Sequence, residues 1–213
     1  MKEIVTLLGD FYHSHNLMLK ALDDALKETS IDYRIVDIEA GQLISSLQLN
    51  PDILVIGKEN RINPQDQNVK CWMTDEMEEK IANYVEGGGR LFVWHSGLAS
   101  YPADDEYCKM VRGYFKYHPE KNKMVRYFSP EKSILPRRFD FEIMDEHYFV
   151  YCDTENTNIF LFSESEDGSS IAGWTHNFGN GKILALTPAH REEGLNHQEM
   201  KALLVESIRY LLL

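Results

Sequence analysis

Histidine is the residue type whose number and positions most clearly predict chemistry in this sequence. The chain has 8 histidines among 213 residues. His13 and His15 follow the first apolar run, His95 ends another run, and His190 comes shortly after a third. Neutral imidazoles bind divalent transition metals such as zinc, and they also transfer protons because they titrate near neutral pH. The sequence therefore predicts either a metal centre formed by His13, His95 and His190 or an acid–base site. The plain alternative is that each imidazole binds a nearby backbone group.

Four consecutive residues bring two carboxylates, an imidazole and a phenol together: Asp145, Glu146, His147 and Tyr148. If the segment is a strand, Asp145 and His147 face one side and Glu146 and Tyr148 face the other, because side chains alternate along a strand. Only one pair can then point into a pocket. We expect Asp145 or Glu146 to act with the histidines, the alternative being that the segment is a solvated strand end.

Three further side chains are candidates for contacting a ligand. His118 and Tyr148 are predicted to bind substrate beside the histidines. Trp174, two residues before His176, is predicted to present an aromatic platform of the kind that stacks on a sugar ring. A tryptophan buried in the core is the other explanation for that position.

The sequence lacks the patterns of several common enzyme classes. Ser96 follows His95 directly, without the G-x-S-x-G pattern of a serine nucleophile, and none of the cysteines is at that turn. The glycines at 87–89 precede an apolar run and do not open a helix, so they do not form a phosphate-binding loop. Neither a P-loop nor a Rossmann fingerprint occurs. Nucleotide cofactors are therefore disfavoured.

Apolar runs separated by helical patterns predict the elements that position these residues. Their alternation indicates a doubly wound α/β fold with a mostly parallel sheet. Because the carboxyl ends of parallel strands meet at one edge, His13, His95 and His190 can share a single crevice. The predicted strands are residues 3–8, 33–38, 52–56 and 90–94, and the predicted helices begin at Ser14 or Asn16 and at Thr74, the second ending at Gly87.

The second half of the chain contains apolar runs that are too close together for long helices between them. We expect the runs at 123–128 and 139–143 to be either antiparallel additions to the sheet or an elaborated face. Asn196, with Glu199 three residues later, is predicted to begin the last helix as a capping box. No linker or repeat divides the sequence, so we expect one domain over residues 1–213. The remaining predicted elements are a short helix at 104–112 and strands at 123–128, 139–143, 158–163, 170–175 and 182–187.

Composition indicates the class of protein and excludes some partners. Hydrophobic residues make up 43% and charged residues 26%, as is typical of soluble globular proteins. The formal net charge of −12 disfavours nucleic acid as a partner. No apolar run approaches the roughly 20 residues of a membrane helix, and the N-terminus lacks a signal-peptide cleavage site. Three scattered cysteines without a C-x-x-C pattern indicate a reducing, cytoplasmic setting.

Several motifs, in order along nearly the whole chain, resemble those of the ThuA-like (trehalose utilisation) family. Each motif alone is weak, but together they are fairly specific. The segment from Gly9 to His13 also resembles the opening segment of that family. The motifs are 88–97 (GGRLFVWHSG), 113–119 (GYFKYHP), 145–148 (DEHY), Trp174 with 179–182 (GNGK), and 187–190 (TPAH).

The resemblance implies a flavodoxin-like fold of the class I glutamine amidotransferase-like type. It also implies a role in sugar metabolism, around trehalose and related disaccharides or their 3-keto derivatives. In true amidotransferases the turn after the fourth strand carries a nucleophilic cysteine. The matching position here resembles His95, so the resemblance does not imply glutamine hydrolysis.

These observations lead to one principal hypothesis and two alternatives. We expect an enzyme that acts on a small sugar or sugar derivative through His95, His190 and either Asp145 or Glu146, with zinc or another divalent metal as the cofactor that the imidazoles would suit. The first alternative is a non-catalytic sugar-binding or regulatory module. The second is an interaction subunit that acts as a homo-oligomer through exposed aromatic residues between 101 and 117.

Overall fold

A nine-stranded mixed β-sheet forms the centre of the structure, a computed structural model that describes residues 1–212. The predicted apolar runs at 3–8, 33–38, 52–56 and 90–94 all form strands, within one or two residues of the predicted ends. The strands are β1 (Lys2–Leu8), β2 (Tyr33–Asp37), β3 (Ile53–Gly57), β4 (Arg90–Trp94), β5 (Gly113–Tyr117), β6 (Lys123–Phe128), β7 (Asp140–Asp145), β8 (Phe149–Cys152), β9 (Asn158–Ser165), β10 (Gly168–Phe178) and β11 (Gly181–Leu186).

Five neighbouring strands of the large sheet are parallel, in the order β2-β1-β3-β4-β11. The other four strands, β10-β9-β6-β7, continue the sheet in antiparallel fashion. The predicted α/β fold with added antiparallel strands is therefore confirmed. Strands β5 and β8 form a separate two-stranded antiparallel sheet, which the sequence patterns did not predict.

Side-chain hydroxyl groups cap the two longest helices of the first half. Ser14 Oγ accepts a hydrogen bond from the backbone N–H of Leu17, and Thr74 Oγ1 accepts one from Met77. None of the helices within residues 1–212 is long and apolar enough to cross a membrane. The helices are α1 (His15–Lys27), α2 (Leu43–Leu47), α3 (Asp75–Glu86), α4 (Glu106–Val111), α5 (Glu192–Leu195) and α6 (Gln198–Leu212).

Apolar side chains alternate between the two faces of the parallel strands, so helices cover both faces. On β3, Ile53 and Val55 pack in one core with α1 and α6, whereas Leu54 and Ile56 pack in the other with α2, α3 and α4. A strand that is buried on both faces must be a nearly continuous apolar run. This requirement is the reason that the sequence patterns located the parallel strands so closely.

The predicted start of the last helix was wrong. Asn196 ends α5, where its backbone N–H donates to the carbonyl of Glu192, and α6 begins at Gln198. The backbone N–H of Glu199 donates to His197 Nδ1 at 3.3 Å, so the His197 side chain accepts the bond that Asn196 was predicted to accept. A one-turn helix is too short to produce a periodic pattern, so the sequence did not predict α5.

Candidate functional site

The carboxyl ends of β1, β3, β4 and β11 open into one crevice. The chain leaves β1 to form β2 on one side and later returns to form β3 on the other side, so the strand order reverses beside β1. Such a switch point is where open α/β sheets bind ligands. Loops that follow these strands supply His13, Glu59, His95 and His190, and the loops after β5 and β7 add His118 and Glu146.

His13 lies in the turn between β1 and α1, where Asp10 fixes its orientation. Asp10 Oδ1 accepts a hydrogen bond from the backbone N–H of His13 and lies 2.6 Å from its ring Nδ1. Because a carboxylate accepts hydrogen bonds, Nδ1 carries the ring proton and Nε2 of the neutral ring has a free lone pair. That Nε2 is buried and has no hydrogen-bond partner in the described part of the chain.

His95 is the first residue after β4 and is completely buried. Its backbone φ of +47° makes a sharp turn, and a single helical turn over residues His95–Leu98 follows. The ring Nδ1 lies 2.5 Å from the carbonyl oxygen of Thr187, so this nitrogen donates and Nε2 has the free lone pair. Nε2 of His95 is also buried without a partner. Tyr148 stacks on the ring at a centroid distance of 4.2 Å.

His190 follows β11 and is positioned through its backbone. Its N–H donates to Asp145 Oδ1 at 2.7 Å, and Asp145 Oδ2 accepts a second bond from the Tyr127 hydroxyl at 2.7 Å. The ring Nδ1 of His190 is buried without a hydrogen-bond partner and faces Glu146. Asp145 is therefore a buried link between β6, β7 and the His190 loop.

Glu146 is the residue on which the three imidazoles converge. Its Oε2 lies 3.3 Å from His190 Nδ1, 3.6 Å from His95 Nε2 and 4.0 Å from His13 Nε2. Its Oε1 lies 3.3 Å from His118 Nε2. One carboxylate oxygen thus faces three ring nitrogens, and the other faces a fourth imidazole at the rim.

This donor set fits a divalent transition metal. The ligand atoms of His13, His95, Glu146 and His190 all lie within 4.8 Å of one another. In a tetrahedral site with bonds of about 2.0–2.2 Å, ligand atoms are about 3.3–3.6 Å apart, close to the distances from Glu146 Oε2. Three buried ring nitrogens without partners require an explanation, and a shared cation provides one. Asp10 and the Thr187 carbonyl hold two of the rings, as is common around metal-ligating histidines.

Charge and burial act in opposite directions on the side chains of this cluster. Burial by itself raises the pKa of Glu146, but the neighbouring His190 and His95 outweigh burial and hold that pKa well below its usual range. The same contact raises the pKa of His190 against the effect of burial. Burial lowers the pKa of His13 although Asp10 opposes the shift. Glu146 is therefore ionised and supplies negative charge at the centre of the cluster.

Asp10→Asn is expected to weaken zinc binding about 10–100-fold, the usual effect of removing a carboxylate that orients a metal-ligating histidine. The amide can present an N–H to Nδ1 of His13 and thereby favour the wrong ring tautomer. Competition titration with a chromophoric chelator measures the affinity. The matched control is Asp37→Asn, since Asp37 pairs with His15 outside the cluster. Equal effects of the two substitutions would contradict the assigned role.

A pocket of about 420 Å³ opens over the cluster. Two predicted ligand-contacting residues, His118 and Tyr148, line it. Glu59 was missed, although it follows β3 at the same sheet edge and the strand-end rule used for the histidines applies to it equally. The pocket is lined by Tyr12, His13, Glu59, Ala99, Ser100, Phe115, His118, Glu146, Tyr148 and His190.

The structure decides which of the two acidic neighbours faces the pocket. β7 ends at Asp145, and Glu146 and Tyr148 point into the pocket. Asp145 is completely buried behind it, and His147 lies between Ser163 and Ser165, 3.0 and 2.8 Å from their hydroxyl oxygens. The prediction that the Asp145 side chain acts in the pocket is therefore wrong, and of the two carboxylates it is Glu146 that lines the pocket.

Trp174 does not contact the pocket. It is completely buried, and its Nε1–H donates to the carbonyl oxygen of Val111 at 2.9 Å. His176 is buried nearby and hydrogen-bonds the carbonyl of Met110. The predicted substrate-binding role of Trp174 is therefore corrected, because its strand β10 is covered on this face by α4 and the small sheet.

Burial of His176 is expected to make stability depend on pH. Burial lowers the pKa of this imidazole to about 4 from about 6.5, with the Met110 carbonyl opposing the shift. The unfolded chain therefore binds the proton first, and stability decreases as the pH falls from about 6.5 to about 4, by up to about 1.4 kcal/mol per pH unit. Urea unfolding gives the free energy of unfolding of wild type and of His176→Gln at pH 7 and at pH 4.5. The difference between the two proteins should change by about 2 kcal/mol from one pH to the other. A difference that is the same at both pH values would contradict this assignment.

Comparison with known protein families shows a match that covers most of the chain. The model of the trehalose utilisation family, ThuA, matches residues 12–211. No curated protein matches the chain significantly.

Solved structures share the fold at low sequence identity. A ThuA-like protein from Parabacteroides merdae ATCC 43184 is 13% identical with a TM-score of 0.71, over 99% of this chain and 90% of that chain. The cytoplasmic protein STM3548 from Salmonella typhimurium is 13% identical with a TM-score of 0.65, over 99% of both chains. A β-galactosidase from Rahnella sp. R3 is 9% identical with a TM-score of 0.68, over 99% of this chain but only 31% of that chain. At these identities the similarity shows the fold alone.

Proposed function

The chain belongs to the ThuA, or trehalose utilisation, family, and from this premise we propose that it is a divalent-metal-dependent enzyme acting on a disaccharide or keto-sugar derivative. One observation carries the metal part of the proposal. Three buried imidazole nitrogens without hydrogen-bond partners converge on a single carboxylate oxygen of Glu146. The sugar part of the proposal rests on the family to which the chain belongs.

His13, His95, His190 and Glu146 would hold the metal, zinc being the ion that three imidazoles and a carboxylate suit best. When bound, such an ion supplies Lewis-acid polarisation of a substrate oxygen. Asp10 and the Thr187 carbonyl keep the ring protons of His13 and His95 on Nδ1. The nitrogens that face the cluster are therefore free to bind.

The walls of the pocket support a sugar as the ligand. The rings of Tyr148 and Phe115 lie 4.4 Å apart and form an apolar wall, against which the C–H face of a sugar ring can pack. His118 stands at the rim with its Nδ1 2.7 Å from the Pro119 carbonyl and its Nε2 directed toward Glu146. It is thereby placed to contact a substrate atom bound above Glu146.

Free thiols support a reducing setting for this activity. Cys71, Cys108 and Cys152 are all free, and free cysteines without disulfides are usual in the cytoplasm. We therefore propose a cytoplasmic enzyme. Of the aromatic residues predicted as an interaction surface, Tyr101 and Tyr107 are buried, whereas Tyr117 is half exposed. Association into a homo-oligomer stays a prediction.

The test is turnover with and without metal. Zinc-loaded protein is incubated with trehalose, sucrose and their 3-keto derivatives, and products are detected by NMR. We expect product from at least one compound, loss of activity after chelation, and recovery when zinc is restored. Activity that survives complete chelation would favour the acid–base site without metal. Sugar affinity without any product would favour the non-catalytic binding module.

A further inference from the structure

Glu59 is a buried carboxyl group of the pocket that the metal cluster does not use. It lies two residues beyond β3 and lines the pocket with Ser100 and Tyr148. Its relative exposure is 9%. Oε1 accepts a hydrogen bond from Ser100 Oγ at 2.5 Å, and Oε2 has no hydrogen-bond partner within residues 1–212. A carboxylate can accept about four hydrogen bonds, so most of the acceptor capacity of this buried group is unused.

The backbone on both sides of Glu59 is held in place. Its N–H donates to Asp10 Oδ2 at 2.9 Å, and its carbonyl accepts a bond from Trp72 Nε1 at 3.1 Å. Asp10 also orients His13, so one carboxylate links Glu59 to the metal cluster.

The partner of Glu59, Ser100, is held with similar precision. Ser100 has a backbone φ of +63°, a conformation that is costly for a residue other than glycine. The neighbouring Ala99 carbonyl accepts a bond from Asn60, and the Tyr101 hydroxyl donates to the Lys58 carbonyl. These contacts on either side maintain the strained residue, and strain kept in this way points to a functional position.

The lysine and arginine nearest to Glu59 in the chain bind backbone carbonyls and form no ion pair with it. Lys58 Nζ donates to the Gly9 carbonyl at 2.7 Å, and Arg61 donates to the Asp66 carbonyl. Within the described residues 1–212, no lysine or arginine lines the pocket. A carboxyl group without a cationic partner attracts hydrogen-bond donors and repels anions.

We infer that Glu59 is the residue that selects the substrate, binding the hydroxyl groups of an uncharged sugar together with Ser100 and rejecting phosphorylated or carboxylated sugars. This inference rests on the proposed function of the pocket. Sugar hydroxyls donate to the free acceptor positions of Glu59, and Ser100 Oγ, which already donates to Glu59, accepts from a neighbouring hydroxyl. Burial raises the pKa of Glu59 against the opposing Ser100 bond, and hydrogen bonds donated by sugar hydroxyls favour the charged form of the carboxyl group and so oppose that rise. The substrate hydroxyls supply the polar contacts that the buried carboxyl otherwise lacks.

The experiment compares neutral and anionic sugars on zinc-loaded protein by isothermal titration calorimetry. The probes are glucose, trehalose and sucrose, each with its 6-phosphate. Wild type should bind at least one neutral sugar and bind its 6-phosphate at least about tenfold more weakly. Glu59→Gln keeps the side-chain shape and the Ser100 bond. It should lower the affinity for the neutral sugar at least about tenfold, the usual effect of losing a hydrogen bond to a charged group. It should also reduce the ratio between the affinities for the neutral sugar and its 6-phosphate. Glu155→Gln, an exposed glutamate in the turn between β8 and β9, is the matched control and should change neither value.

Three results would overturn the inference. They are equal binding of neutral and phosphorylated sugars by wild type, unchanged affinity in Glu59→Gln, and no binding of any probe. Zinc stoichiometry, measured on the same samples, distinguishes failure of the inference about Glu59 from failure of the proposed metal-dependent function. Glu59→Gln should bind zinc as wild type does, and absence of zinc binding by wild type counts against the metal centre itself.

Discussion

Replacing His95 with alanine is expected to abolish zinc binding and all metal-dependent activity. His95 contributes one of four converging ligands, and its Nε2 has no role other than facing Glu146. Changes in residues that merely orient a ligand weaken metal affinity about 10–100-fold, and removal of a ligand should exceed that range. Metal analysis after gel filtration should find close to one zinc per wild-type chain and almost none in the variant.

Two further variants separate loss of metal from damage to the fold. His95 is completely buried, so alanine leaves a cavity, and circular dichroism must show that the variant is folded. Glu146→Gln preserves side-chain volume and removes the charge at the centre of the cluster, and it should also lose zinc. His15→Ala removes an imidazole that pairs with Asp37 outside the cluster and should retain zinc. Full zinc occupancy in both His95→Ala and Glu146→Gln would show that the cluster is not a metal site.

Asp145→Ala is expected to lower the free energy of unfolding by about 2–4 kcal/mol, because it leaves buried donors without an acceptor. The carboxylate accepts bonds from the Tyr127 hydroxyl and the backbone N–H of His190, both at 2.7 Å. Asp145→Asn keeps an acceptor in place and should lower the free energy of unfolding by less than Asp145→Ala does. Urea denaturation followed by tryptophan fluorescence measures both values.

The same strand provides the control for Asp145. Asp140, at the other end of β7, forms an exposed ion pair with Arg126, and Asp140→Ala should change stability by about 0.5 kcal/mol or less. Asp145→Ala should also weaken zinc binding, since His190 is positioned through this carboxylate. If Asp145→Ala lowers the free energy of unfolding by no more than Asp140→Ala does, the buried hydrogen bonds of Asp145 do not stabilise the fold.

The parallel half of the fold was predictable because its strands are buried on both faces. Residues 90–94 form β4 with the predicted ends, and His95 follows where expected. A run of apolar residues between turn signals is a local property, and the carboxyl-edge rule then places His13, His95 and His190 together without knowledge of any contact. The acidic pair within residues 145–148 supplied Asp145 and Glu146 as the candidate partners of those histidines.

Other features depended on contacts between distant segments. Alternation along a strand predicts that either Asp145 or Glu146 points into the pocket, but not which one. Asp145 binds Tyr127 and the His190 loop behind β7, and Glu146 therefore points into the pocket. The local sequence around Trp174 does not show whether its side chain faces solvent or the core. It faces the core because α4 and the small sheet cover β10 on that side.

Local sequence patterns thus predict the class of fold and the sheet edge at which the histidines gather, because burial on two faces and the end of a strand both depend on neighbouring residues. Long-range packing determines which carboxylate lies among the imidazoles, which nitrogen of each ring is free, and that Glu59 lines the pocket. Those facts depend on hydrogen bonds between residues that are far apart in the chain, such as His95 to Thr187 and Glu59 to Ser100. Such pairings leave no periodic signal in the sequence.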